Sequence, residues 1–75
     1  MPKLPTDLSW RQVRLVLERA GFEFRRQKGS HMIRRGDPFA RVVVPDHRQV
    51  RQGTLRRIIA DAGLTVEEFI RHLSR

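Results

Sequence analysis

The chain has no cysteine, which removes both a disulfide framework and a thiolate metal site. Its three histidines, His31, His47 and His72, lie far apart and form no HxxxH-type pair. The usual ligand spacing of a zinc site is therefore missing as well, and neither a metal nor a cofactor is expected. No apolar run approaches the roughly 20 residues of a membrane-spanning helix. Met1-Pro2-Lys3-Leu4-Pro5 lacks the apolar core of a secretory signal, so a soluble, cytoplasmic protein without a membrane partner is expected. Acidic residues are few, 8 against 16 basic ones, and lysine is scarce, with Lys3 and Lys28 the two examples. There is no internal repeat, linker or low-complexity tract. Seventy-five residues make one small domain with a modest core, spanning 1–75 with an irregular arm at 1–7.

What the chain does have is positive charge. The formal excess is +8 and almost entirely arginine. Such an excess fits nucleic acid, an anionic surface or an acidic partner protein. A generally arginine-rich surface, solvated on every side, would look the same from composition alone.

The hydrophobic pattern predicts an α+β domain of order α-β-β-β-α(α). Ser9 with Gln12 forms a capping box, and Trp10, Val13, Val16, Leu17 and Ala20 make one apolar helical stripe that stops at Gly21. Leu15 falls on the opposite face, either as an isolated surface leucine or as part of a partner-binding patch. From Phe22 to Lys28 the period changes to two, with Phe22 and Phe24 opposed to Glu23, Arg25 and Gln27. Gly29 marks a tight turn, Ser30 to Arg35 a second strand, Arg35-Gly36-Asp37-Pro38 another turn, and Phe39 to Val44 a third strand. The short connections imply an antiparallel meander. After a polar loop over 45–52, Thr54 is expected to cap a helix that buries Leu55, Ile58, Ile59 and Ala62 and ends at Gly63. Thr65 with Glu68 caps a last helix carrying Val66, Phe69, Ile70 and Leu73, either nearly continuous with its predecessor or bent at Gly63. The sum is a small two-layer domain, a three-stranded antiparallel sheet with helices on one face and a polar open face.

The segment Lys28-Gly29-Ser30-His31 sets a histidine among Arg25, Arg26, Lys28, Arg34 and Arg35. Imidazole titrates near neutrality and can give or take a proton, and the surrounding cations would hold a polyanion against it. RNA carries its own nucleophile, the 2′-OH beside each phosphodiester. A protein that cleaves RNA must move protons to and from oxygen and stabilise charge on phosphorus, tasks suited to histidine and arginine. On this reading His31 is the general acid or base. Lys28, Gly29, Ser30, Arg26, Arg34 and Arg35 bind the RNA backbone, and His47 is a possible second proton carrier if its loop folds across the sheet. The plainer readings are a structural strand histidine at 31, a solvent-exposed loop residue at 47, and a favourable helix-dipole interaction at 72. Ser30 is better read as a turn former than as a nucleophile, because no partner is placed to activate it. The Arg56-Arg57 pair is a solvated helix face, or a contact to RNA or an acidic partner. One geometric alternative stays open: if Met32 faces the core, His31 looks out from the open sheet face, whereas if Ile33 does, His31 lies under the helices.

Gly29-Ser30-His31, then Val44-Pro45, then Gly53-Thr54-Leu55-Arg56-Arg57-Ile58-Ile59, then Ala62-Gly63-Leu64 together resemble the HicA family of toxins, in order from about Ser9 to Phe69. The resemblance implies a fold like the double-stranded RNA-binding domain. It also implies an endoribonuclease that cleaves mRNA with the histidine of the Gly-Ser-His motif essential, and neutralisation by a HicB-type antitoxin that covers it. Many members carry a second histidine directly after the first, where this chain has Met32. Two other functions compete with that reading. One is a non-catalytic double-stranded-RNA-binding module, which needs no essential histidine. The other is a protein that docks an acidic partner and has no nucleic-acid role.

Overall fold

A computed structural model describes residues 4–26 and 30–74, with the backbone alone described at Arg26, Ser30, His31, Pro38 and Phe39. The element order is α1 (Trp10–Arg19), β1 (Phe22–Arg26), β2 (Ser30–Arg34), β3 (Asp37–Val43), α2 (Gln52–Asp61) and α3 (Val66–Leu73). The sheet is antiparallel in the order β1-β2-β3. This is the expected α+β arrangement. The expected Gly29 turn, with Gln27 and Lys28, lies outside the described residues.

Local chemistry sets the helix ends. The Gln12 amide N–H donates to Ser9 Oγ while the Ser9 N–H donates to Gln12 Oε1 at 2.9 Å, the reciprocal pairing of a capping box. Thr65 and Glu68 repeat it at the start of α3, with the Thr65 N–H 2.9 Å from Glu68 Oε1. Gly21 (φ +98°) and Gly63 (φ +71°) occupy the left-handed conformation that ends α1 and α2. At the second stop the Gly63 N–H donates to the Ala60 carbonyl and the Leu64 N–H to the Ile59 carbonyl, both at 3.0 Å, so α2 closes in a Schellman motif. That motif separates α2 from α3, and the two are not continuous.

Three sequence expectations need correction. The Arg35-Gly36-Asp37-Pro38 turn is shorter than expected: Arg35 and Gly36 form it, and β3 already begins at Asp37. Proline is tolerated there because β3 is an edge strand and its register with β2 is broken at that point. Ile33 pairs with Arg41 but Arg34 pairs with Asp37, so one step along β2 spans four along β3. Second, β3 ends at Val43 and β2 at Arg34, each one residue earlier than expected. Third, Thr54 is not the cap of α2. The helix starts at Gln52, three residues earlier than a Thr54 cap would give, because Arg51 occupies the cap position and its carbonyl accepts the Leu55 N–H at 2.8 Å. The cause lies just upstream. Val50 is 2% exposed and its N–H donates to the Leu8 carbonyl at 2.8 Å, so the chain turns into the helix directly after that anchor.

One hydrophobic cluster unites the described elements. It holds Val13, Val16 and Leu17 from α1, Phe22, Met32 and Val42 from the sheet, Leu55, Ile58 and Ile59 from α2, and Phe69 from α3. Leu4, Leu8, Val44 and Val50, from stretches without regular structure, and Ala62 at the cap of α2 complete it. Leu8 directly precedes the Ser9 cap and Val13 is the fourth helical residue, the positions of a hydrophobic staple. The described part of the arm, residues 4–7, has no regular structure, yet it is fastened: Gln49 Nε2 donates to the Thr6 carbonyl and Gln52 Nε2 to the Leu4 carbonyl. The Arg19 guanidinium donates to the His72 carbonyl and ties α1 to α3. Among the described residues no helix is long and apolar enough to cross a membrane.

Candidate functional site on the open sheet face

The alternation along β2 answers the question left open by the sequence. Met32 is fully buried in the core, whereas Ile33 is only partly covered. Successive strand residues belong to opposite faces, so position 31 belongs to the face away from the helices. Its cross-strand neighbours are Arg25 on β1 and Val43 on β3. Residues directly opposite each other share a face, and both neighbours are exposed, Val43 at 59%. The central strand thus carries His31 at the middle of the open face, one residue away from the core.

The basic residues named from the sequence divide by the same register. Arg26 pairs with Ser30 at the hairpin end of β1 and β2, one step from position 31 and so at positions of the opposite, helix-side face, against the expectation that they join His31. Lys28 and Gly29 lie outside the described residues. Arg34 is three residues further along β2, about 10 Å at the usual strand rise, and Arg35 is in the next turn. The fold therefore brings Arg25 beside position 31 and carries Arg34 and Arg35 to the far end of the strand. Arg35 Nε lies 3.4 Å from Glu23 Oε1, and Arg25 Nη2 donates to Glu23 Oε2 at 3.1 Å. Glu23 partly neutralises the β1 side of the face. These pairs are well exposed, so they hold the arginines only weakly.

On the β3 side the face runs into a groove of about 380 Å³. Arg41, Val43 and Pro45 line it on one side, and Thr54, Arg57 and Asp61 of α2 on the other. Arg41 pairs with Ile33 in the sheet and belongs to the same open face as position 31. Pro45 and Thr54 also border a second hollow with His47 and Arg51. His47 itself is exposed. Its loop does not fold across the sheet: the His47 carbonyl accepts the Trp10 N–H at 3.2 Å, drawing the loop toward the start of α1. His47 thus borders the continuation of the groove, away from position 31. His72 lies in the last turn of α3, as a dipole role requires, but its buried Nδ1 has no hydrogen-bond partner among the described residues. Leu15 is 43% exposed and borders a shallow depression with Trp10, Arg11 and Arg14.

Arg41 is the residue that sequence reasoning missed. Its signal was the two-residue spacing from Val43, which becomes informative only once the strand register is known. Arg57 belongs to the Arg56-Arg57 pair already noted, and the fold selects it as the member that borders the groove. Among the described residues no cluster of histidine and acidic side chains could hold a metal ion.

The open face thus offers an imidazole-bearing position flanked by a cation, with further cations along an adjoining groove. Such a surface can hold a phosphodiester backbone and exchange a proton with it. Comparison with curated proteins found no match. A family model described as the HicA toxin of bacterial toxin-antitoxin pairs matches residues 10–64.

Proposed function

The chain belongs to the HicA toxin family of bacterial toxin–antitoxin systems, and from that premise we propose that it is an endoribonuclease that cleaves mRNA, with His31 as its general acid or base. The observation that carries this reading is the β2 register, in which buried Met32 puts position 31 on the open face between Arg25 and Val43. Support also comes from the excess of arginine, which favours a polyanionic substrate.

The chemistry needs the chain, its substrate and solvent water, which serves the proton transfer that His31 does not. The ribose 2′-OH loses its proton and attacks the adjacent phosphorus. The P–O5′ bond breaks, the 5′-oxygen takes a proton, and the upstream product ends in a 2′,3′-cyclic phosphate. His31 serves one of the two proton transfers, worth about a hundred- to ten-thousand-fold. Arg25, beside it in the register and on the same face, offsets charge on the phosphoryl oxygens. DNA lacks the nucleophile and is not a substrate on this account.

A second imidazole directly after His31 would not add to this, because that residue is Met32, whose place is in the core. The natural partner is an antitoxin of the HicB type, which would silence the chain by covering that face.

Controlled expression of the intact chain and of His31→Ala in a bacterial host tests the reading. The intact chain should arrest growth and fragment transcripts, and the variant should do neither while accumulating as folded protein. Fragmentation by the variant at the parental level would remove His31 from the mechanism. Normal growth with intact transcripts for both would favour a non-catalytic double-stranded-RNA-binding module.

A further inference from the structure

We propose that the groove between the β3 edge and α2 is the track along which a single RNA strand reaches His31, with Arg41 and Arg57 as its phosphate contacts. This rests on the endoribonuclease reading and adds where the substrate lies.

The groove begins at the reaction position. Val43, which lines it, is the cross-strand neighbour of position 31, so a strand leaving the open face over β3 enters it directly. Arg41 stands two residues before Val43 on the same face and is exposed. Arg57 faces it from α2 across the groove, with 84% of its side chain accessible. Beyond Pro45 and Thr54 the hollow bordered by Arg51 and His47 prolongs the path. Cations thus stand on both walls of the groove and again at the adjoining hollow, which suits a backbone with a charge at every nucleotide better than a compact anion.

The floor and the size of the groove agree. β3 is an edge strand, and its outer backbone amides have no partner strand within the sheet, so donors remain for sugar and phosphate oxygens. A volume of about 380 Å³ is at the small end of ligand-sized cavities and has room for one backbone. Attack by a 2′-OH also requires close alignment with the phosphorus, which a flexible single strand can reach.

Asp61 opposes this use of the groove. It borders the same hollow and lies 3.8 Å from Arg57 Nε. Both side chains are more than half exposed, so the pair is weak. Phosphate can outbid it, at a cost that a neutral residue at position 61 would remove. That gives the proposal a signature of opposite signs on neighbouring residues.

The test measures binding of a short single-stranded oligouridylate to the full chain carrying His31→Ala, across a range of salt, so that cleavage does not interfere. Arg41→Ala and Arg57→Ala should each lower the slope of log K against log salt by about 0.7, the loss of one single-strand phosphate contact. Asp61→Asn should tighten binding at low salt. Arg71→Ala, which removes the same charge from exposed α3 surface, should leave the slope as it is, and melting curves of the three groove variants should match that of the parent. Slopes unchanged in both groove variants, or lowered equally by Arg71→Ala, overturn the proposal. Unchanged slopes together with weakened antitoxin binding would assign the groove to a protein strand instead. Because the assay reads binding alone, lowered slopes in a chain whose parent cleaves no RNA would uphold the track and refute the nuclease.

Discussion

On the sheet face beneath the helices, Phe22, Met32 and Val42 are at most 2% exposed; on the other face Arg25, Arg41 and Val43 lie in solvent. The two faces alternate residue by residue, so neighbours in sequence belong to different problems. Met32 belongs to folding, and His31 and Val43 to whatever meets the open side. The helices show a parallel contrast. α3 begins with a capping box and two acids, Glu67 and Glu68, and ends with Arg71 and His72, the arrangement its dipole favours. α2 begins at Arg51 with no side-chain cap and no acid in its first turn. Charges that stabilise a helix sit on α3, while those of α2 are better placed to meet an anion than to support the helix.

The largest expected effect that breaks the first contrast is Met32→Ala. Removing a fully buried methionine costs about 2–5 kcal/mol, against about half a kcal/mol or less for Val43→Ala on the open face. In a domain of this size each kcal/mol moves the melting temperature by about 4–8 °C, so melting curves separate the two. Equal losses would mean that the open face is packed after all.

The helix contrast is sharpened by a smaller pair of changes. Thr65→Ala removes a cap oxygen from the Glu68 N–H and should cost about 1 kcal/mol. Thr54→Ala lies inside the first turn of α2, where no cap bond is lost, and should change stability by a few tenths of a kcal/mol. Chemical unfolding of both variants measures the difference, and a Thr54→Ala loss as large as that of Thr65→Ala would restore Thr54 as a cap.

These outcomes bear on what can be read before a structure is known. The Ser9–Gln12 and Thr65–Glu68 boxes were legible because each is made by residues three apart. The helix stops at Gly21 and Gly63 were legible for the same reason: the need for a left-handed residue is local. Leu4, Leu8 and Val50 have no periodic neighbours, and their burial depends on the arm meeting the loop before α2. Pro38 reads as a turn residue until the broken register and the edge position of β3 are known. The candidate site was legible as His31 and a basic setting, but not in detail. Arg34 and Arg35 are near in sequence and distant along the strand, whereas Arg41 is distant in sequence and shares the face.

The smallest expected effect is on acid stability. The Thr65 backbone N–H, hydrogen-bonded to the Glu68 carboxylate, holds that group below its ordinary value of 4.5, with help from the Thr65 hydroxyl and nearby Arg71. A folded value below the unfolded one contributes stability above pH 4.5 that is lost as the pH falls through the folded value. Glu68→Gln keeps an acceptor but not the charge, so the gap in melting temperature between parent and variant should narrow from pH 6 toward pH 3. A gap constant over that range would show that the charge plays no part.

The most direct test of the account compares purified parent and His31→Ala chains for their initial rate of RNA cleavage, with melting curves taken on the same samples. The account predicts that the variant loses about a hundred- to ten-thousand-fold in rate and keeps the parental melting temperature, because position 31 belongs to the open face. A variant that cleaves at the parental rate, or one that melts as low as Met32→Ala, would contradict it.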